Sequence, residues 1–277
     1  MKKLECCCGS QVFFESRDCV HCGVELGFDP YTLEMLSLEK VGGDVWQAAT
    51  GARYRFCANG SEWGVCNWLC AEEDTHPLCW GCQFNRTIPD LSLPGNIQRW
   101  WALEQAKKRL LYTLRSLDLP LVNGWEDPKN GLVFDFIEDG RSREEYAETF
   151  VSTGFAGGVI TINTLEADDV ARVAAREQMN EPYRTVLGHM RHESGHFYWS
   201  RLAREERIRE GFATLFGDEA MDYRGALDRH YREGPSADWR KYYISAYASV
   251  HPMEDWAETW GHYLHIQDAL ETAAAYG

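Results

Sequence analysis

From Ile97 to Leu117 the apolar residues Ile97, Trp101, Leu103, Leu110, Leu111, Leu114 and Leu117 interleave with Lys107, Lys108 and Arg109. That spacing predicts an amphipathic helix with a charged face, ended by Pro120. Leu132–Ile137 and Gly158–Asn163 carry the apolar and β-branched runs of strands, and helical periodicity dominates from Asp168 onwards. A few strands followed by a run of helices predict an α+β fold rather than alternating βαβ units. Upstream, Val12-Phe13-Phe14 reads as a short strand. Between the two regions, Ile88–Asn96 holds two prolines, a glycine and turn formers, which predicts a boundary between residues 1–92 and residues 93–277.

Composition sharpens that division. All ten cysteines of the 277-residue chain precede position 83. A disulfide framework across the protein and a cysteine nucleophile in the larger part are therefore excluded. A net charge of −15, from 28 basic and 43 acidic residues, argues against nucleic acid as a partner. The opening Met1-Lys-Lys-Leu-Glu-Cys has no apolar stretch of an export signal, and no run of about 18 apolar residues would span a bilayer. The expected location is the cytoplasm, with no membrane partner, where cysteines stay reduced and paired cysteines hold metal.

Cys6-Cys7-Cys8-Gly9 and Cys19-Val-His-Cys22-Gly23 have the spacing of a zinc ribbon, with Cys6, Cys8, Cys19 and Cys22 as the expected ligands. Spacing also allows Cys7 beside Cys19 and Cys22. In the second cluster Cys79-Trp-Gly-Cys82 is one knuckle, and Cys57 and Cys66 are taken as the other half, leaving Cys70 spare. Modules this small fold on their metal, so both zincs are expected to be structural.

Within the helical region lies His192-Glu193-Ser194-Gly195-His196. Residues four apart stand one turn above each other, about 6 Å apart, so two imidazoles can meet one zinc while Glu193 sits beside it as general base. Such a site needs a third protein ligand from another element. Pro252 opens a second helix in which Glu254 and Glu258 share a face. Glu254 is expected to ligate and Glu258 to hold a ligand histidine, though spacing alone does not exclude the swap, nor Asp255 or His251 as ligand. His262 and His265 continue that face, with His262 a candidate for the polar shell around the ligands. His189 is expected to flank the site. The glycine-led alternating stretch Gly154–Asn163 reads as one edge strand suited to pairing with an extended peptide.

With its cysteine-rich head, Asn67-Trp68, Arg86-Thr-Ile-Pro-Asp, the His192–His196 helix and His251-Pro-Met-Glu-Asp-Trp-Ala-Glu258-Thr-Trp, the chain resembles the bacterial zinc-ribbon "putative zinc-binding metallopeptidase" family. The resemblance implies tandem N-terminal ribbons before a mostly helical zincin-like domain with a small sheet. A narrower one, to the metalloprotease domain of anthrax lethal factor, rests on Tyr247 seven residues before Glu254 and Glu258 four after it. It implies that Tyr247 donates a hydrogen bond to the oxyanion of the reaction, although a core tyrosine fits the same position. Phe197-Tyr-Trp after the motif excludes the metzincin subclass. The expected function is a zinc peptidase of the glutamate-zincin type, with one catalytic and two structural Zn2+ and a peptide or protein substrate. An adaptor with an inert peptidase scaffold, and a zinc hydrolase of non-peptide amides, fit the same residues.

Overall fold

The computed structural model describes residues 2–138, 140, 151–168, 172–173 and 185–277. Strands β1 (Leu4–Glu5) and β2 (Gln11–Val12) form a small hairpin around the first cysteine knuckle. An antiparallel meander follows in chain order: β3 (Glu25–Asp29), β4 (Glu34–Gly42), β5 (Val45–Ala48), β6 (Arg53–Phe56) and β7 (Leu69–Ala71). A single turn, α1 (Ala58–Ser61), separates its last two strands. Next come β8 (Asn85–Thr87), α2 (Asn96–Ser116), β9 (Val133–Ile137), β10 (Gly154–Ala156) and β11 (Val159–Asn163). The remainder is helical: α3 (Val186–Leu202), α4 (Glu206–Leu215), α5 (Tyr223–Glu233), α6 (Trp239–Tyr242) and α7 (Pro252–Tyr276). The fold is α+β, with a strand-rich cysteine region ahead of a helical part that holds a small sheet. The start of the predicted helical stretch, 169–171 and 174–184, lies outside the described residues.

The second sheet has the order β10-β11-β9-β8, with β9 parallel to both of its neighbours and β10 antiparallel at one edge. The stretch expected as one strand from Gly154 to Asn163 is instead a hairpin. Gly157 (φ 55°) and Gly158 (φ 85°) form its two-residue turn, in the positive-φ conformation that matches the strand twist and that glycine adopts without strain. At the opposite edge, β8 follows the Cys79–Cys82 knuckle directly and joins the sheet before the proline-rich linker begins. Arg86 clamps it to β9 by a bidentate pair with Asp135 (Nε to Oδ1 2.9 Å), and Thr87 adds a hydroxyl donor at 2.9 Å.

Helix α2 corrects the expectation of a charged face. Lys107 and Lys108 are both fully buried, because apolar surface meets the helix on two sides. One continuous core joins Phe28 and Trp68 of the cysteine region, Trp100 and Leu110 of α2, and Phe134 and Phe197 beyond it. Charges at such depth require partners. Lys107 pairs with Glu104 (2.9 Å) and with the Asn85 side chain, while Glu104 also accepts from Trp100 Nε1 at 3.2 Å. Lys108 donates to the Val65 carbonyl at 3.2 Å.

Helices α3 and α7 run antiparallel in close contact. A Cβ on Gly195 would lie 3.0 Å from Ala257 Cα and 3.2 Å from Trp260 Cβ, so glycine sets how near the helices come. Trp256 Nε1 donates to the Gly195 carbonyl (2.8 Å) and Trp260 Nε1 to Ser194 Oγ (3.0 Å). The middle residues of the histidine motif thus serve the helix junction. Arg191 reaches across to Asp268 and to His265 Nδ1 (2.9 Å). The first cysteine hairpin meets the far end of α7, where Gln11 bonds the Tyr276 hydroxyl. From Glu254 to Tyr276 the helix extends for about 33 Å, so that ribbon stands well away from the histidine motif.

Candidate metal centres and active site

Each cysteine cluster brings four sulfurs together at the separation one zinc requires. Cys6 and Cys22 Sγ are 3.6 Å apart, Cys8 and Cys19 3.7 Å, and Cys66 and Cys79 3.7 Å. A tetrahedron with Zn–S bonds of about 2.3 Å has edges of about 3.8 Å, whereas a disulfide would bring sulfurs to about 2.05 Å. All ten cysteines are free. Cys6, Cys8, Cys19 and Cys22 form one group of converging donors, and Cys57, Cys66, Cys79 and Cys82 another. Backbone amides point at the sulfurs of the second group: Trp68 N at Cys66 (3.4 Å) and Cys79 N at Cys57 (3.3 Å).

The two remaining cysteines stand outside these groups. Cys7 is exposed, with its sulfur 3.9 Å from that of Cys6. Cys70 is buried in β7, and burial, then the charge of Asp74, pushes its thiol up to about 12. It stays protonated and is a poor metal ligand. Lys108 lies against the second cluster. Burial works against its charge, but the thiolates of Cys66 and Cys82 and the Glu104 carboxylate outweigh it and hold the ammonium well above its usual range. It offsets part of the negative charge that four thiolates leave around a divalent ion.

The third group is His192, His196 and Glu254. Thr185 caps α3, accepting from Gly188 N at 2.9 Å, and the motif follows two turns later. His251 caps α7 with Pro252 at the first helical position, which sets Glu254 in the first turn. His192 Nε2 lies 3.2 Å from His196 Nε2 and 3.0 Å from Glu254 Oε2. His192 Nδ1 lies 2.7 Å from Glu258 Oε1. Since a carboxylate only accepts, Nδ1 carries a proton, and in the neutral ring Nε2 turns a lone pair towards the other two donors. Glu254 Oε2 is buried and receives no hydrogen bond. Two imidazole nitrogens and a carboxylate oxygen converging on one point fit a cation, and these nitrogen and oxygen donors suit zinc. Burial disfavours a proton on His192, yet the neighbouring carboxylates of Glu254 and Glu258 and the charge of Glu193 override it and raise the ring's proton affinity. The same surplus of negative charge would draw a metal ion.

Glu193 is buried beside the group, near enough for its charge to act on His192, Tyr223 and Tyr247. The Tyr247 ring stands 6.0 Å from that of His192. Burial first, then the charge of Glu254, keeps the Tyr247 hydroxyl protonated far above its usual range, so it remains a donor. Glu258 also receives a hydrogen bond from Ser245. Among the other candidates, both nitrogens of His251 are engaged, Nδ1 by Met253 N (3.1 Å) and Nε2 by the Met221 carbonyl (3.1 Å). Asp255 stands outside the donor group, and burial, then Glu258, pushes its carboxyl up to about 6. His262 is exposed and reaches the Glu258 carbonyl (2.8 Å). His189 faces Glu166 at 3.3 Å.

Sequence reasoning missed Tyr223, whose hydroxyl donates to Glu254 Oε1 at 2.8 Å. It comes from α5, which has no fixed spacing to the motif and no apolar pattern to mark its inward face. Lys108 and Ser245 were missed for the same reason: their partners lie in other elements.

A two-histidine helix is set against a helix that offers a glutamate to the same point, beside a small mixed sheet. The chain belongs to the family described as "Putative zinc-binding metallo-peptidase", which matches residues 96–277, and a zinc-ribbon domain family matches residues 3–93. It is similar to proteins of Mycobacterium bovis and Mycobacterium tuberculosis, each named as an uncharacterized protein, with 40% identity over 271 residues, 98% of this chain and 74% of theirs. No solved structure matches. The expected likeness to the lethal factor protease domain is therefore not shown by any match. Among the described residues no helix is long and apolar enough to cross a membrane.

Proposed function

We propose that this protein hydrolyses peptide bonds as a zinc-dependent peptidase of the glutamate-zincin type. His192, His196 and Glu254 hold the catalytic zinc, and the two cysteine groups hold one structural zinc each. The observation that carries the proposal is the convergence of the ring nitrogens of His192 and His196 and a carboxylate oxygen of Glu254 within reach of one ion. Bound there, zinc supplies Lewis acidity, which acidifies water and polarises a carbonyl. The chain's own groups do the rest. Glu193 takes the proton of the attacking water and passes it to the leaving amine. Tyr247 donates its hydroxyl hydrogen to the oxyanion, a contribution of about 3 kcal/mol for a single donor. Glu258 keeps the His192 ring in the tautomer that leaves Nε2 free. Among the described residues β10 pairs with β11 alone, so its other edge, close to α3, offers main-chain groups to an extended peptide. Ten free thiols, eight of them gathered for metal, favour a reducing compartment, the cytoplasm.

The test is Glu193→Gln assayed on a peptide library beside a panel of non-peptide amides. Wild type should cleave peptides, and the variant should lose about 10²- to 10⁴-fold in rate with its zinc retained.

A further inference from the structure

Glu254 divides its two oxygens between two elements. Oε2 lies 3.0 Å from His192 Nε2 and, among the described residues, receives no hydrogen bond, whereas Oε1, 3.5 Å from His196 Nε2, accepts the Tyr223 hydroxyl at 2.8 Å. Tyr223 is the first residue of α5, and the residue is 42% exposed while its hydroxyl reaches the buried carboxylate. The chain leading to it is pinned. His251 Nε2 donates to the Met221 carbonyl (3.1 Å), Trp199 Nε1 to Glu219 (2.8 Å), and Asp222 caps the helix by accepting from Gly225 N at 3.1 Å. The cap of α7 and the helix of the histidine motif therefore both fix where the tyrosine hydroxyl stands. The Tyr247 hydroxyl also faces that of Tyr223.

We infer that Tyr223 is a positioning residue for the catalytic metal: it occupies Glu254 Oε1 and so leaves Oε2 as the oxygen that binds. A carboxylate with both oxygens free can chelate with two, while one held by a hydroxyl offers one oxygen in a fixed direction. On the other side of the site Glu258 does the same for His192. Two ligands are thus braced from behind, one by an acid on α7 and one by a phenol on α5. Tyr223 is then committed to a ligand, while Tyr247, whose hydroxyl neighbours that of Tyr223, has the separate task of donating to the oxyanion. The inference rests on His192, His196 and Glu254 being the zinc site.

The test measures zinc affinity of the full chain by competition with a chromophoric chelator, taking as catalytic-site zinc what wild type holds above Glu254→Ala. Tyr223→Phe should raise the dissociation constant of that zinc about tenfold or more, the usual effect of removing a group that orients a ligand. Tyr247→Phe should leave it unchanged and lower kcat. A double-mutant cycle separates positioning from a general structural role: in the Glu254→Ala background, Tyr223→Phe should not change the melting temperature further. An affinity for Tyr223→Phe within twofold of wild type would overturn the inference, as would an equal loss of melting temperature with and without Glu254. If wild type holds no more zinc than Glu254→Ala, the zinc site itself is wrong and the role of Tyr223 falls with it.

Discussion

His192 Nδ1 and Glu258 Oε1 lie 2.7 Å apart, one turn of α7 beyond the glutamate that faces the same histidine's other nitrogen. One helix therefore supplies both the acid beside the metal position and the acid that orients a ligand. Glu258→Ala is expected to weaken zinc binding at this site about 10- to 100-fold. Glu258→Gln, which still accepts from Nδ1–H, should recover most of the loss. Chelator competition on both variants measures this.

Gly195 lets α3 approach α7, and a methyl group there meets the Ala257 backbone, which cannot give way. Gly195→Ala should cost about 1–3 kcal/mol of stability, a fall in melting temperature of roughly 2–4 °C per kcal/mol for a chain of this size. Activity should fall with it, because the same junction sets His192 opposite Glu254.

Lys108 is buried against four cysteines and carries the compensating charge there. Lys108→Met removes the ammonium but keeps the shape, and it should destabilise the protein by about 3–5 kcal/mol, as does losing one partner of a buried charge pair. Metal analysis should show zinc lost from the second cysteine group before the first.

Metal content should report three independent sites. Wild type should hold about three zincs per chain, and His192→Ala and Cys19→Ser should each lose one. Cys7→Ser and Cys70→Ser should lose none. With its exposed thiol Cys7 should be alkylated readily, while Cys70, buried and held protonated, should resist.

Much of this was legible in the sequence where chemistry depends on local spacing. Both cysteine knuckles, the motif from His192 to His196, and Glu254 with Glu258 are fixed by intervals of a few residues, and the structure brings each set together. Strands β9 and β11 and helix α2 were visible from periodicity to within a residue or two. What sequence could not give depends on contact between distant elements. The sequence carries no expectation of the meander β3–β7. Lys107 and Lys108 looked solvent-facing until the cysteine region covered them. Gly157-Gly158, read as the lead-in to one strand, turned out to be the corner of a hairpin, because the paired glycines adopt positive φ there. Tyr223 has no local signature at all.

The most direct test of the central claim is peptide hydrolysis by Glu193→Gln beside wild type, with zinc content measured on the same samples. The expected result is full zinc content in both and cleavage by wild type alone. Cleavage by Glu193→Gln at the wild-type rate with zinc in place would contradict the mechanism.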